Sequence, residues 1–109
     1  SHSHLHSNFS KLNNLECIYE IETSTKIIED IIGKKVDSFA FPYGNYNLNN
    51  IKILNKFNLK NICTSNYGYN INFANLINRI EIVEKDSIKS FKRKINGFYD
   101  YLQIKNMLH

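Results

Sequence analysis

Three histidines on alternate residues, His2, His4 and His6, are the side chains of this chain best suited to chemistry. Imidazole is the commonest protein ligand for a transition metal, and it binds through a neutral ring nitrogen. Two arrangements are open. A helical turn or curled loop points His2 and His6 the same way, whereas an extended backbone puts all three rings on one face. The alternative to a metal site is a tag remnant or a solvated terminus, because chain ends are often poorly ordered.

A second motif surrounds the one proline of the chain, within Phe39-Ala40-Phe41-Pro42-Tyr43-Gly44. We expect it where a strand leaves the sheet, which is where α/β folds place ligands. Proline fixes φ and glycine permits unusual φ, so the Tyr43 backbone can be held in a defined orientation. Its N–H could then stabilise a developing oxyanion beside a metal. The alternative is an ordinary turn between a strand and a helix.

Length and composition indicate one globular domain, or part of one. The chain has 109 residues, of which 42% are hydrophobic and 22% charged. The net charge of +4 is mostly dispersed and accompanies no nucleic-acid motif, so we expect no nucleic-acid partner. No apolar run approaches the roughly 20 residues of a transmembrane helix. Two distant cysteines do not form a disulfide framework.

The elements that must position these residues alternate between helix and strand. A helix capped by Ser10 is predicted to run to about Ile32 and to end at Gly33. Its apolar residues at helical spacing are Leu15, Ile18, Tyr19, Ile28, Ile31 and Ile32. A strand is predicted over residues 36–41, and a second helix, capped by Asn47, from Leu48 to about Phe57.

Two further strands are predicted, over residues 61–64 and 79–83, and a closing helix capped by Asp86 or Ser87. The expected buried stripe of that helix is Ile88, Phe91, Ile95, Phe98, Tyr99 and Leu102, with Gly97 kinking or splitting it. Strands alternating with helices favour parallel βαβ pairing.

The order of these elements resembles the polysaccharide deacetylases of carbohydrate esterase family four. The resemblance begins at the histidine segment of residues 1–9 and continues through Glu20-Ile21, Ser24, Gly33 and residues 39–44. It then extends over Thr64, Gly68 and residues 76–80. The sequence around the proline is closest to a branch of the family with Phe-Ala-Tyr-Pro-Tyr-Gly-like motifs.

The resemblance implies part of a deformed (β/α) barrel that removes N-acetyl groups from an amino-sugar polymer or oligomer. It implies a divalent metal, most often zinc, held by His2 and His6, with His4 as exposed filler and the Tyr43 amide as oxyanion donor. It also places the protein in the cell envelope or cytoplasm of a bacterium, between which the sequence does not choose. We expect Pro42, Tyr46 and Tyr69 to contact the sugar; the alternative for the tyrosines is a lid over the core.

The chain departs from the family at several positions. The paired aspartates that supply a base and a third metal ligand have no counterpart, so we expect residues 1–109 to be a single partial domain, the C-terminal portion lacking the N-terminal strands. Ala40 replaces a common arginine; Arg79 is the candidate substitute, or else a surface residue. His109 is expected to be frayed rather than to act as the acid.

We therefore expect little or no hydrolysis by this chain alone, and self-association through the exposed barrel edge. The alternative function is a non-catalytic carbohydrate-binding or scaffold protein that retains the barrel fold.

Overall fold

The computed structural model describes residues 1–66 and 75–99, which form a small α/β unit. Its helices are α1 (Asn14–Ile32), α2 (Leu48–Leu54) and α3 (Ile88–Ile95), and its strands are β1 (Ser38–Ala40), β2 (Asn61–Cys63) and β3 (Leu76–Ile77). The three strands form one sheet in the order β1-β2-β3, and both pairings are parallel. The predicted parallel α/β architecture is therefore confirmed, while the described part of the chain shows no closed barrel.

Helix α1 begins later than the sequence prediction. Asn13 caps it, since its side chain accepts from the Glu16 N–H while Glu16 accepts from the Asn13 N–H. Such a reciprocal capping box satisfies two backbone donors at once. Ser10 lies instead in a short 3-10 turn, Phe9–Lys11, so the predicted Ser10 cap is wrong. The end at Gly33 is confirmed, with the glycine in the left-handed conformation at φ 68°.

The buried face of α1 also differs from the predicted stripe. The buried residues are Cys17, Glu20, Ile21 and Ser24, whereas Leu15 is 79% exposed and Tyr19, Ile31 and Ile32 are exposed too. Apolar residues lie on more than one side of this helix, so periodicity alone does not select a face. Tertiary contacts select the buried face of α1, because Glu20 and Ser24 form hydrogen bonds with the amino-terminal segment.

An aromatic core fixes β1 against the start of the chain. Phe39 and Phe41, two residues apart and thus on one face of the strand, are both buried. The Phe9 ring lies 5.3 Å from that of Phe39 and 5.7 Å from that of Phe41. The core continues into α1, α2 and β2 through Ile21, Leu54 and Ile62. The strand that carries the proline turn is thus held firmly from one side.

Helix α2 and strand β2 follow the sequence prediction. Asn47 caps α2 through a second capping box with Asn50, and a 3-10 turn, Asn55–Phe57, extends the helix. Ile53 and Leu54 are buried, and Ile51 is partly buried against the core. Helix α2 therefore connects the parallel strands β1 and β2 as a βαβ unit.

The strand predicted over residues 79–83 is wrong. The third strand is Leu76–Ile77, where the Thr64 N–H donates to the Ile77 carbonyl at 2.8 Å and the Ile62 N–H to the Asn75 carbonyl at 2.7 Å. Strand β2 is only three residues long and pairs with Leu76 and Ile77, which precede Arg79 in the chain. Alternation alone did not locate the pairing register.

Ser87 caps helix α3 and is one of the two caps predicted from the sequence. The buried stripe predicted for this helix is wrong. None of its residues is buried, and Ile88, Phe91, Ile95 and Phe98 are all exposed. Gly97, at φ 83°, follows the end of the helix, in agreement with the predicted interruption. Leu102 lies outside the described residues. Within those residues, no helix is both long and apolar enough to cross a bilayer.

Candidate metal centre

The first residues of the chain run beside β1 and bring His2 to the carboxyl end of that strand. The Ala40 N–H donates to the Ser1 carbonyl at 2.9 Å. One residue further, Nδ1 of His2 lies 2.7 Å from the Ala40 carbonyl oxygen. Because a carbonyl only accepts, this contact places a proton on Nδ1 and leaves Nε2 with its lone pair.

His2 and His6 form a close pair. Their Nε2 atoms lie 3.0 Å apart and their ring centroids 4.8 Å apart. His6 has a left-handed backbone, at φ 55°, so the segment curls rather than extends. Of the two arrangements open from the sequence, the structure therefore has the curled loop. His4 points away from this pair, and its ring packs edge-on against Tyr19 with the ring centroids 5.9 Å apart.

The turn after β1 lies beside this pair. The N–H groups of Gly44 and Asn45 close the turn on the carbonyls of Phe41 and Pro42, at 3.0 and 3.3 Å. Those hydrogen bonds do not use the Tyr43 N–H. Tyr43 itself is left-handed, with φ 59° and ψ 4°, which is uncommon for a residue with a side chain and recurs at functional sites. Its exposed ring lies edge-on to His6, with centroids 4.7 Å apart.

A cleft of about 530 Å³ opens beside the histidine pair. Its lining includes His2, Tyr43, Gly44, Ser65, Arg79 and Glu81. Nε of Arg79 donates to the Thr64 carbonyl at 3.0 Å, so the end of β2 orients the guanidinium. The structure thus brings together three residues singled out from the sequence, His2, Tyr43 and Arg79, with His6 in contact with two of them.

Two lining residues were missed by the sequence analysis. Ser65 follows β2 by two residues, and the rule that ligands bind beyond the carboxyl ends of parallel strands could have found it. Glu81 had no such signal, because it lies in a segment read as a strand. It is a carboxylate in a cleft where the sequence offered no acid pair.

The three residues expected to contact the sugar lie in different surroundings. Pro42 is buried and shapes the turn. The Tyr46 ring stacks on Phe41 at 4.8 Å between centroids, and its hydroxyl accepts from Nδ2 of Asn66 at 2.5 Å. One face of Tyr46 therefore covers the core, which is the arrangement of the lid alternative. Tyr69 lies outside the described residues.

The histidine pair has the chemistry of two metal ligands. In a tetrahedral zinc site, two nitrogens each about 2.0–2.1 Å from the ion stand roughly 3.3 Å apart. The two Nε2 atoms lie 3.0 Å apart here, which is also the distance of a hydrogen bond between the rings. Among residues 1–66 and 75–99, however, no three His, Cys, Asp or Glu side chains are grouped to hold an ion. The two imidazoles are of a type that binds divalent metals, and the described residues group no third ligand with them.

The family of the chain follows from comparison with known proteins. The polysaccharide deacetylase family matches residues 1–62, more than half of the chain, and the chain belongs to that family. This is the family inferred from the histidine and proline motifs. No curated protein matches the chain.

Solved structures agree with this assignment. The Streptococcus pyogenes deacetylase PplD, in complex with acetate, is similar with a TM-score of 0.74 and 22% identity, over 86% of this chain and 42% of that one. A candidate polysaccharide deacetylase of Bacillus anthracis gives 0.70 and 21%, over 87% and 31%. A CE4 family pseudoenzyme of Bacillus anthracis gives 0.55 and 29%, over 57% and 22%. The chain spans less than half the length of each of these proteins.

Proposed function

We propose that this chain contributes two of the three protein metal ligands of a hydrolase that removes N-acetyl groups from an amino-sugar polymer or oligomer. The observation that carries the proposal is the 3.0 Å approach of the His2 and His6 Nε2 atoms at the carboxyl end of β1, beside the Tyr43 turn. Membership of the polysaccharide deacetylase family supports an acetylated carbohydrate as the substrate.

His2 and His6 would hold the ion, for which zinc is our choice because two imidazoles are typical zinc ligands. When bound, such an ion polarises an acyl carbonyl and makes water a nucleophile near neutral pH. The Ala40 carbonyl fixes the His2 tautomer, so Nε2 needs no reorientation to bind.

Tyr43 would act through its backbone. Pro42 and the left-handed pair Tyr43 and Gly44 fix the direction of the Tyr43 N–H, which the turn's own hydrogen bonds leave unused. A fixed N–H aimed at the carbonyl oxygen favours the charge that develops there during attack. Catalytic N–H donors of this kind contribute without reorganisation, because the backbone is already in place.

Arg79 would orient a carboxylate in the cleft. Its Nε is engaged by the Thr64 carbonyl, which sets the plane of the guanidinium. A planar guanidinium recognises a carboxylate through two parallel N–H groups. The chain has none of the paired aspartates that supply the general base in the family, and Glu81 is the carboxylate that lines the cleft here. Alone, the chain should hydrolyse little.

Pro42, Tyr46 and Tyr69 remain our proposed substrate contacts, with the exposed face of Tyr46 as the surface for a sugar ring. We also propose that the small parallel sheet is part of a deformed (β/α) barrel in a single partial domain, residues 1–109. Its outer strand edges would then favour self-association, which sedimentation would detect as species larger than a monomer.

The second candidate is a non-catalytic carbohydrate-binding or scaffold protein with the same fold. The likeness to a pseudoenzyme of the CE4 family favours it, as does the absence of a grouped third ligand in residues 1–66 and 75–99.

Acetate release separates the two candidates. The chain would be supplied with a strand bearing paired aspartates, loaded with zinc and given an N-acetylglucosamine oligomer. We expect zinc-dependent acetate release, lost in His2→Ala and His6→Ala but retained in His4→Ala, because His4 lies apart from the pair. Zinc binding without acetate release from any acetylated sugar would favour the non-catalytic candidate, and no zinc binding would reject the metal centre.

A further inference from the structure

Glu20 is a buried carboxylate that faces the loop carrying the histidines. It lies on α1 and is only 4% exposed. Its Oε2 atom accepts from the backbone N–H groups of His4 and Leu5, both at 2.8 Å, and Oε1 accepts from the Ser7 hydroxyl at 3.3 Å. Three donors from one short loop therefore converge on a single side chain. These hydrogen bonds offset the desolvation of a buried charge.

The loop that Glu20 holds has a backbone that would not persist unaided. Ser3 and His6 are both left-handed, at φ 66° and φ 55°, and L-residues with side chains disfavour this region. Glu20 accepts hydrogen bonds from His4 and Leu5, which lie between these two left-handed residues, and from Ser7, which follows His6. The middle of the loop that brings the two Nε2 atoms together is thus hydrogen-bonded to helix α1.

We propose that Glu20 is the positioning residue of the histidine pair: it fixes the His2–His6 loop in the metal-binding curl before any ion arrives. The inference rests on the proposed metal centre. Glu20 touches neither imidazole ring, and it acts through the backbone of the loop. Outer partners that orient metal ligands commonly contribute about 10–100-fold to metal affinity.

The test compares Glu20 with a carboxylate of the same helix. Glu29 accepts a single backbone N–H, that of Val36, at 2.8 Å, and it lies beyond the loop. Zinc titrations of wild type, Glu20→Ala, Glu20→Gln and Glu29→Ala would be followed through the imidazole ¹⁵N signals of His2 and His6. The same spectra before zinc addition report whether His2 carries its proton on Nδ1.

We expect Glu20→Ala to bind zinc about 10–100-fold more weakly and to shift the metal-free ¹⁵N signals of His6, while His2, held by the Ala40 carbonyl, keeps its Nδ1 proton. Glu20→Gln keeps one accepting oxygen and should lie between that variant and wild type. Glu29→Ala should bind within about twofold of wild type, since Glu29 bonds to Val36 and not to the loop that carries the histidines.

Wild-type zinc affinity in Glu20→Ala, or an equal loss in Glu29→Ala, would overturn the inference. If Glu20→Ala does not fold, Glu20→Gln decides: weakened binding supports the role and unchanged binding rejects it. If zinc leaves the His2 and His6 signals of the wild type unmoved, the proposed metal centre fails instead. The role of Glu20 is then decided by the metal-free spectra, where unaltered His6 signals in Glu20→Ala reject it.

Discussion

Residues 1–66 and residues 75–99 are held in place by different means. Every buried hydrophobic side chain among the described residues lies between Phe9 and Ile62, whereas α3 in the second region buries none. The family match covers residues 1–62, almost the same stretch as the buried core. In the second region Asp86 and Lys94 form an ion pair 2.7 Å long.

The cleft lies between these two regions. His2, Tyr43 and Gly44 belong to the first, and Arg79 and Glu81 to the second. The side of the cleft that carries His2 is therefore backed by a packed core, and the opposite side by short polar contacts. The contrast indicates that one wall of the cleft stands on a well-packed region and the other on a weakly packed one.

The largest expected effect comes from emptying the core. Phe39→Ala should lower the free energy of unfolding by about 3–5 kcal/mol, because the ring is 1% exposed and packs against Phe9 and Phe41. Phe91→Ala is the matched change in α3, where the ring is 41% exposed, and should cost less than about 1 kcal/mol. Urea denaturation measures both. Equal losses would show that the two regions are packed alike.

An intermediate effect is expected at the turn, where Gly44 and Gly33 offer a matched pair. Both have φ 68°, but a Cβ on Gly44 would lie 2.7 Å from Cβ and Oγ of Ser65, while nothing lies within 4 Å of one on Gly33. Gly33→Ala should cost about 1–2 kcal/mol from backbone strain alone. Gly44→Ala should cost about 1–3 kcal/mol more.

Thermal unfolding of both glycine variants measures the difference. Adding Ser65→Gly to Gly44→Ala removes the clash and should bring its loss back to that of Gly33→Ala. A loss that persists in the double variant would mean that the turn itself, rather than its approach to Ser65, limits the site.

The smallest effect concerns the ion pair and depends on pH. Lys94 at 2.7 Å, with Ser90 and the Val83 N–H, lowers the pKa of Asp86 to about 2. Because the folded pKa lies below the ordinary value of 3.8, the stabilisation is complete above about pH 4 and is lost as the pH falls towards 2. Asp86→Asn should abolish that part of the acid dependence.

Asp37→Asn is the control, since its pair with Lys60 is 3.7 Å long between exposed side chains and exposed pairs contribute little. Thermal unfolding between pH 2 and 5 gives the comparison. An identical acid profile for wild type and Asp86→Asn would show that this pair does not stabilise the second region.

The sequence predictions are confirmed where the signal is local and fail where tertiary contacts decide; the Ser10 cap and the predicted buried stripe of α1 are wrong in the first region, and the Ser87 cap is confirmed in the second. In the first region the end of α1 at Gly33, the Asn47 cap and the parallel strands were predicted, because caps and short apolar strands are local signals. In the second region the strand over residues 79–83 and the buried stripe of α3 were wrong. Local alternation and helical spacing are present there, but they do not reveal whether a partner surface exists.

The sequence by itself determined which residues can bind a metal and where the chain must turn, since imidazole chemistry and the φ preferences of Pro42 and Gly44 are properties of the residues. Only the tertiary structure decided that His2 and His6 meet, that His4 does not join them, and that Glu20 holds their loop. The reason is physical: those contacts join the loop to β1 and α1, and local spacing does not specify contacts between separate elements.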